Sequence, residues 1–362
     1  MADMADMEDM ADMADPTDVA DKAYTADARP GGPVVVVTGA SAGVGRAVVA
    51  AYARRGARIA LLARGRAGLE GARAQAERLG SERALPIPTD VSDADAVEAA
   101  AEQAERELGP IDVWVNNAMV SVFAPVMEVR PEEYRRVMDV IFGGYVNGTQ
   151  AALRRMLPRD RGRIVQVGSA LAYRGIPAQS AYCAAKHAVQ GFNDSLRAEL
   201  HHASSAVTVS AVQMPALNTP QFTWVRTRLP NHPQPVPPIY APEVAAQAVL
   251  WAADHGVREI NVGAPAILTR YVNAVVPGLL DRYLGRSGIE DQQTDQPVDH
   301  ERWRDNLDAP VDDEVDHGAH GIFGDRSKQR SAALWAVTHK PVVAAVTAGL
   351  ALVGAGGAWR RG

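Results

Sequence analysis

Pro33-Val34-Val35-Val36-Val37-Thr38-Gly39-Ala40-Ser41-Ala42-Gly43-Val44-Gly45-Arg46 is the stretch that decides the fold. Four valines between a proline and a glycine-rich turn are too short a run for a helix and suit a strand buried on both faces. After the turn, Ala47, Val48, Ala51 and Tyr52 fall at helical spacing, so the chain reads strand, turn, helix. Glycines in such a turn let the backbone approach a pyrophosphate, and the helix N-terminus attracts its negative charge. Gly39, Ser41, Gly43, Val44 and Gly45 are therefore candidate dinucleotide contacts.

The same alternation continues outward. Apolar runs at 58–63, 84–88, 111–115 and 163–168, then 206–213 and 259–262, are separated by helical stretches such as 94–108 and 242–253. Short continuous apolar strands alternating with helices imply a parallel sheet covered on both faces. The expected fold class is α/β, a doubly wound parallel sheet in a single Rossmann domain over residues 33–270. Beyond it the alternation stops. Residues 271–333, rich in Asp, Arg, Gln and His, read as a polar extension, and 334–362 as an apolar tail.

Charge and composition exclude several classes. Residues 1–32 carry nine acids against Lys22 and Arg29 and read as a disordered acidic arm; its first fifteen residues repeat Met-Ala-Asp, with one Glu variant, a period that suits neither strand nor amphipathic helix. The chain's net charge is −6 and the arm's is 2 − 9 = −7, so the rest is near +1, with no basic excess for nucleic acid. The lone cysteine, Cys183, excludes an intrachain disulfide and a cysteine zinc cluster. His300, His317 and His320 lack paired ligand spacing, so no metal is expected. Without a basic, apolar secretory start the chain is expected to be cytoplasmic. Residues 342–359 carry no charge and, as a helix, would span about 27 Å, just enough for a C-terminal membrane anchor; a tail packed on the domain is the other reading.

The second apolar run ends Leu61-Leu62-Ala63-Arg64, where a dinucleotide fold presents an acid to the 2′-hydroxyl of NAD. Arg64 suits a 2′-phosphate instead, so NADP is expected over NAD. Asp90, closing the third strand, is a candidate acceptor for the adenine amino group. Tyr182 and Lys186 lie one helical turn apart on one face, and an ammonium beside a phenol favours the phenolate. Ser169 follows a strand, thirteen residues earlier, where its hydroxyl can hold a substrate oxygen.

In this order the glycine motif, Asn116-Asn117-Ala118, Ser169 and the Tyr182/Lys186 pair resemble the short-chain dehydrogenase/reductase family over about residues 33–263. The resemblance implies a single Rossmann domain and a carbonyl or alcohol substrate. It implies that Tyr182 is the acid–base, that Lys186 lowers its pKa and binds the nicotinamide ribose, and that Ser169 positions the carbonyl. Asn116 is implied to brace the strand beside the cofactor, and Pro215 and Thr219 to meet the nicotinamide end.

Three positions depart from the family: Met119 and Ala216 stand where it usually has glycine, and Ile141 stands where it has a proton-relay asparagine. Asn147, six residues on, falls about 240° away on a regular helix. Ile141 motivates an alternative, an NADP-binding regulatory protein with little turnover. The proline-rich stretch 230–242 matches the family's substrate loop, with Trp224, Leu229, Ile239 and Tyr240 expected to line an apolar pocket. A homodimer or homotetramer is expected through the small face of Ala184 and Ala188, and an apolar substrate if the C-terminus meets a membrane.

Overall fold

A computed structural model of the protein describes residues 32–340. Its strands are β1 (Val34–Thr38), β2 (Arg58–Ala63), β3 (Arg83–Pro88), β4 (Val113–Asn116), β5 (Val122–Phe123), β6 (Arg163–Ser169), β7 (Thr208–Met214), β8 (Arg226–Thr227), β9 (Asn231–Pro233), β10 (Ile239–Tyr240), β11 (Glu259–Asn261), β12 (Gln293–Pro297) and β13 (Ser327–Lys328). Its helices are α1 (Gly43–Ala53), α2 (Arg66–Arg78), α3 (Ala94–Leu108), α4 (Pro131–Met138), α5 (Gly144–Met156), α6 (Ser180–His202), α7 (Pro242–His255), α8 (Ala264–Val275), α9 (Pro277–Ser287) and α10 (Ala332–Thr338).

Seven strands form one parallel sheet in the order β11-β7-β6-β4-β1-β2-β3. The order reverses between β1 and β4, which opens a crevice at their carboxyl ends. The valine run shows why β1 sits at the centre. Strand side chains alternate in direction, so Val35 and Val37 enter the layer shared with α1 and α7, and Val34 and Val36 enter the opposite layer. All four are fully buried. Burying a valine is worth roughly 1.5–3 kcal/mol, so a charge at Val36 would break the sheet at its middle strand.

One helical connection is interrupted. Between α4 and α5, residues Asp139–Gly143 form a π-helical turn, a widening that inserts extra backbone and changes which side chains share a face. Pro131 and Glu133 shape the start of α4. The Glu133 carboxylate is 1% exposed and meets Arg130, Arg226 and Arg228. Burial opposes its ionisation, but the hydrogen bond from Arg228 leads a set of contacts that hold it at about 2.

The 271–333 extension folds onto the Rossmann unit. β12 runs antiparallel to β9, and β13 parallel to β10. Leu307 and Phe323 each enter a different apolar cluster, so isolated apolar anchors dock a segment of polar composition, and Leu334 just beyond it enters a third. Among the described residues no helix is long and apolar enough to cross a membrane; the acidic arm and the 342–359 segment lie outside them. On α6, Ala184 and Gly191 are exposed and Ala188 is half-buried.

Candidate active site

A groove follows the carboxyl ends of the central strands. At its floor, a Cβ on Gly45 would lie 2.0 Å from the Gly39 carbonyl oxygen, so only glycine lets α1 start this close to β1. Gly39 has φ of +65° and a Cβ there would meet the Asn117 amide at 2.8 Å. These contacts leave a cradle with the first-turn amides of α1 at its edge, amides that a helix cannot satisfy internally. Gly39, Ser41, Gly43, Val44, Arg64, Asp90 and Thr219 all line this groove. It continues through Val44, Asn117, Met119 and Thr219 into a second cavity that holds Ser169, Tyr182, Lys186 and Pro215. A dinucleotide fits a cradle of this form, with one end reaching Ser169, Tyr182 and Lys186.

Three expected cofactor contacts have other partners in the protein: Asn116, Arg64 and Asp90. Asn116 is fully buried, and its amide donates to Tyr145 O, Thr149 Oγ1 and Gln166 Oε1 while its carbonyl accepts from Trp114 Nε1. It braces β4 from behind, as the strand-bracing role requires, but it does not line the groove. Its neighbour Asn117 does, donating to the backbone oxygens of Thr38 and Gly39. Arg64 lines the groove, yet its guanidinium donates to the carbonyls of Asn306, Leu307 and Asp308. Asp90 is likewise engaged, accepting from Arg136 at 2.6 Å and from Ser92; burial opposes its ionisation, and these bonds hold its pKa below the usual range.

At the far end of the groove Ser169, Tyr182 and Lys186 come together in one cavity. The Ser169 hydroxyl accepts from the Leu171 amide at 3.1 Å and hydrogen-bonds the Tyr182 phenol. Burial pushes the Tyr182 phenol up to about 12, and Ser169 draws it back toward ionisation. Lys186 is enclosed, and burial lowers its pKa to about 7. Its Nζ lies 5.7 Å from the Tyr182 ring centre and donates to Val167 O at 2.7 Å and to Tyr145 Oη at 3.0 Å.

Tyr145 was not evident from the sequence. It is 1% exposed, donates its own hydroxyl to Val167 O at 2.7 Å, and accepts from Lys186. Ile141 is fully buried among apolar side chains, and Asn147 turns away to the Val91 carbonyl. A side-chain partner of Lys186 is thus a phenol four residues beyond Ile141, one helical turn along the same face.

The cavity beside Tyr182, about 400 Å³, is the size of a small-molecule site. Its apolar walls include Phe123, Leu171, Ile176, Phe222 and Leu284. The four residues expected there are placed elsewhere. Leu229 and Ile239 are buried in the cluster behind Phe222, Tyr240 joins the α7 layer, and Trp224 faces the nucleotide groove beside His317. The proline-rich loop does contribute, but through Pro235, Val236, Pro237 and Pro238. Among the described residues no group of three or more His, Cys, Asp or Glu is placed to hold a metal; His300 meets the Leu229 carbonyl and His320 meets Glu243.

Residues 33–229 match the short chain dehydrogenase family. The chain is 32% identical over 321 residues to the uncharacterized oxidoreductase YxnA of Bacillus subtilis, covering 88% of each chain. It is 34% identical over 237 residues to the D-threitol dehydrogenase of Mycolicibacterium smegmatis, covering 63% of this chain and 88% of that one. Over 193 residues it is 34% identical to dehydrogenase/reductase SDR family member 7B of Bos taurus, covering 52% and 58%. Alignment along nearly the whole of one relative, on a groove of this construction, places the chain in the short-chain dehydrogenase/reductase family of NAD(P)-dependent oxidoreductases.

Proposed function

We propose that the protein interconverts a carbonyl compound and its alcohol, with Tyr182 as the acid and base. The observation that supports this most is the meeting of Ser169, Tyr182 and Lys186 in one apolar cavity continuous with the nucleotide groove. The nicotinamide, when bound, supplies or accepts the hydride. Ser169 turns its hydroxyl hydrogen from Tyr182 to the substrate oxygen and fixes its position. Tyr182 gives that oxygen a proton in reduction and removes it in oxidation.

A phenol at about 12 holds its proton firmly, so its loss must be compensated as it leaves. Lys186, near its midpoint at neutral pH, can both give and take a proton. The Tyr145 hydroxyl and the Val167 carbonyl fix the Lys186 head group at the inner end of the site. The walls of Phe123, Leu171, Ile176 and Phe222 favour a substrate whose carbonyl carries an apolar body. Arg64 does not by itself decide between NAD(H) and NADP(H), because its donors are already engaged.

The test is Tyr182→Phe, assayed for nicotinamide oxidation with ketones and aldehydes of graded apolar size. Loss of the acid should lower the rate about 10²–10⁴-fold. An unchanged rate with every substrate turned over would remove Tyr182 from the mechanism.

A further inference from the structure

A strap, residues 305–323, crosses the groove on its adenosine side. Three arginines hold its first turn: Arg226 pairs with Asp305 at 3.0 Å and Asp308 at 2.8 Å, Arg136 donates to Leu307 O, and Arg64 donates to the carbonyls of 306–308. Farther on, Asp316 forms a two-armed pair with Arg46, both bonds 3.0 Å, and Gly318 O accepts from the Gly43 amide.

Between these anchors the strap occupies the start of α2. The Gly68 amide donates to Asp312 O, the Ala67 amide to Asp313 O, and the Arg66 amide to Asp313 Oδ1. A 2′-phosphate would need the same arginine and the same helix start, and both are taken. The approach is close enough to require glycine on α2: a Cβ at Gly65 would fall 1.9 Å from Asp312 Oδ1, and one at Gly68 2.5 Å from Asp312 Oδ2.

The Asp312 side chain is the informative group. The residue is 8% exposed, lines the groove beside Ala63 and Arg64, and holds its carboxylate oxygens against Gly65 and Gly68. A carboxylate on the wall of a groove is a charged acceptor for hydroxyl or amide donors of whatever fills that groove. Its place, against Gly65 at the end of β2, is where a dinucleotide fold carries the acid that binds the adenosine ribose; β2 itself ends in arginine.

We propose that Asp312 supplies from the C-terminal strap the ribose-binding acid that β2 lacks, and that the strap thereby selects NAD(H) over NADP(H). Arg64 becomes a strap anchor in this arrangement. The ribose 2′- and 3′-hydroxyls donate to Asp312, whereas a 2′-phosphate meets Asp312, Asp313 and three carbonyls, with the Arg64 donors already engaged. The inference rests on the nucleotide occupying this groove, as the proposed function requires.

Calorimetric titration of the full chain with NAD⁺ and with NADP⁺ tests it without turnover. Wild type should bind NAD⁺ at least about tenfold more tightly, because a hydrogen bond to a charged group is worth roughly ten- to a hundredfold in affinity. Asp312→Asn, which keeps the shape, should weaken NAD⁺ by about that factor and narrow the preference. Arg64→Ala should loosen the strap and weaken NAD⁺ more than NADP⁺. Tighter binding of NADP⁺ by wild type, an unchanged preference in Asp312→Asn, or selective loss of NADP⁺ in Arg64→Ala would each overturn the assignment. Binding of neither nucleotide by wild type would overturn the proposed function beneath it.

Discussion

The two ends of the groove are built by opposite means. At the catalytic end, Ser169 terminates a strand, and Tyr182 and Lys186 share one turn of one helix, so local geometry alone sets their spacing. At the adenosine end, Arg64 meets carbonyls more than 240 residues later in the chain, and the acid that faces the groove belongs to a segment with little regular structure. Chemistry held by secondary structure survives loss of distant contacts. Recognition held by a docked strap does not, and variants can separate the two.

Lys186→Met is expected to have the largest effect and to act in opposite senses on activity and stability. Removing the cation from the catalytic end should cost about 10²–10⁴ in rate, as for other proton-transfer groups. The same change removes a charge that burial penalises. With its folded pKa at about 7 against an ordinary 10.5, Lys186 binds fewer protons folded than unfolded across that interval, so its cost is fully present below pH 7 and is relieved as pH rises toward 10.5. Lys186→Met should therefore melt at a higher temperature than wild type at pH 6, and the gap should shrink by pH 10. A lower melting temperature at pH 6 would mean that its bonds to Tyr145 and Val167 outweigh the burial cost.

At the other end, Leu307→Ala removes the apolar anchor beneath the first turn of the strap. Leu307 is fully buried, and such truncations cost about 2–5 kcal/mol. Hydrogen exchange followed by mass spectrometry should show faster exchange over 305–318 and over the α2 amides of Arg66, Ala67 and Gly68, with β6 and α6 unchanged. Equal acceleration across the sheet would show that strap and sheet open together, and the contrast between the two ends would fail.

This contrast also explains what the sequence made legible. The sheet, the glycine cradle and the Ser169, Tyr182 and Lys186 positions are encoded by patterns a few residues long. Asn116 and Asn117 were separable only by the strand pleat, which sends neighbouring side chains to opposite faces. Asp312 is one of many acids in a polar stretch, and nothing local distinguishes it from a solvated one. Tyr145 was missed because the family's relay residue at Ile141 is an asparagine, and a phenol at i+4, on the same helical face, lies outside that pattern. A tyrosine four residues past the missing relay asparagine was the available signal.

The smallest expected effect sharpens the catalytic end itself. Tyr145→Phe keeps the packed ring and removes only the hydroxyl that accepts from Lys186 and donates to Val167 O. A buried ammonium that loses one of its two acceptors is less well supported in its charged form, so the Lys186 pKa should fall further below about 7. Only four lysines occur in the chain, Lys22, Lys186, Lys328 and Lys340, so side-chain NMR can follow the titration directly. Wild type should show one lysine titrating near neutrality, and the variant should move that one to lower pH while kcat/KM falls about tenfold, the value of one hydrogen bond to a charge. If the rate falls but the lysine titration stays put, Tyr145 acts by packing; if neither moves, Lys186 is positioned by the Val167 carbonyl alone.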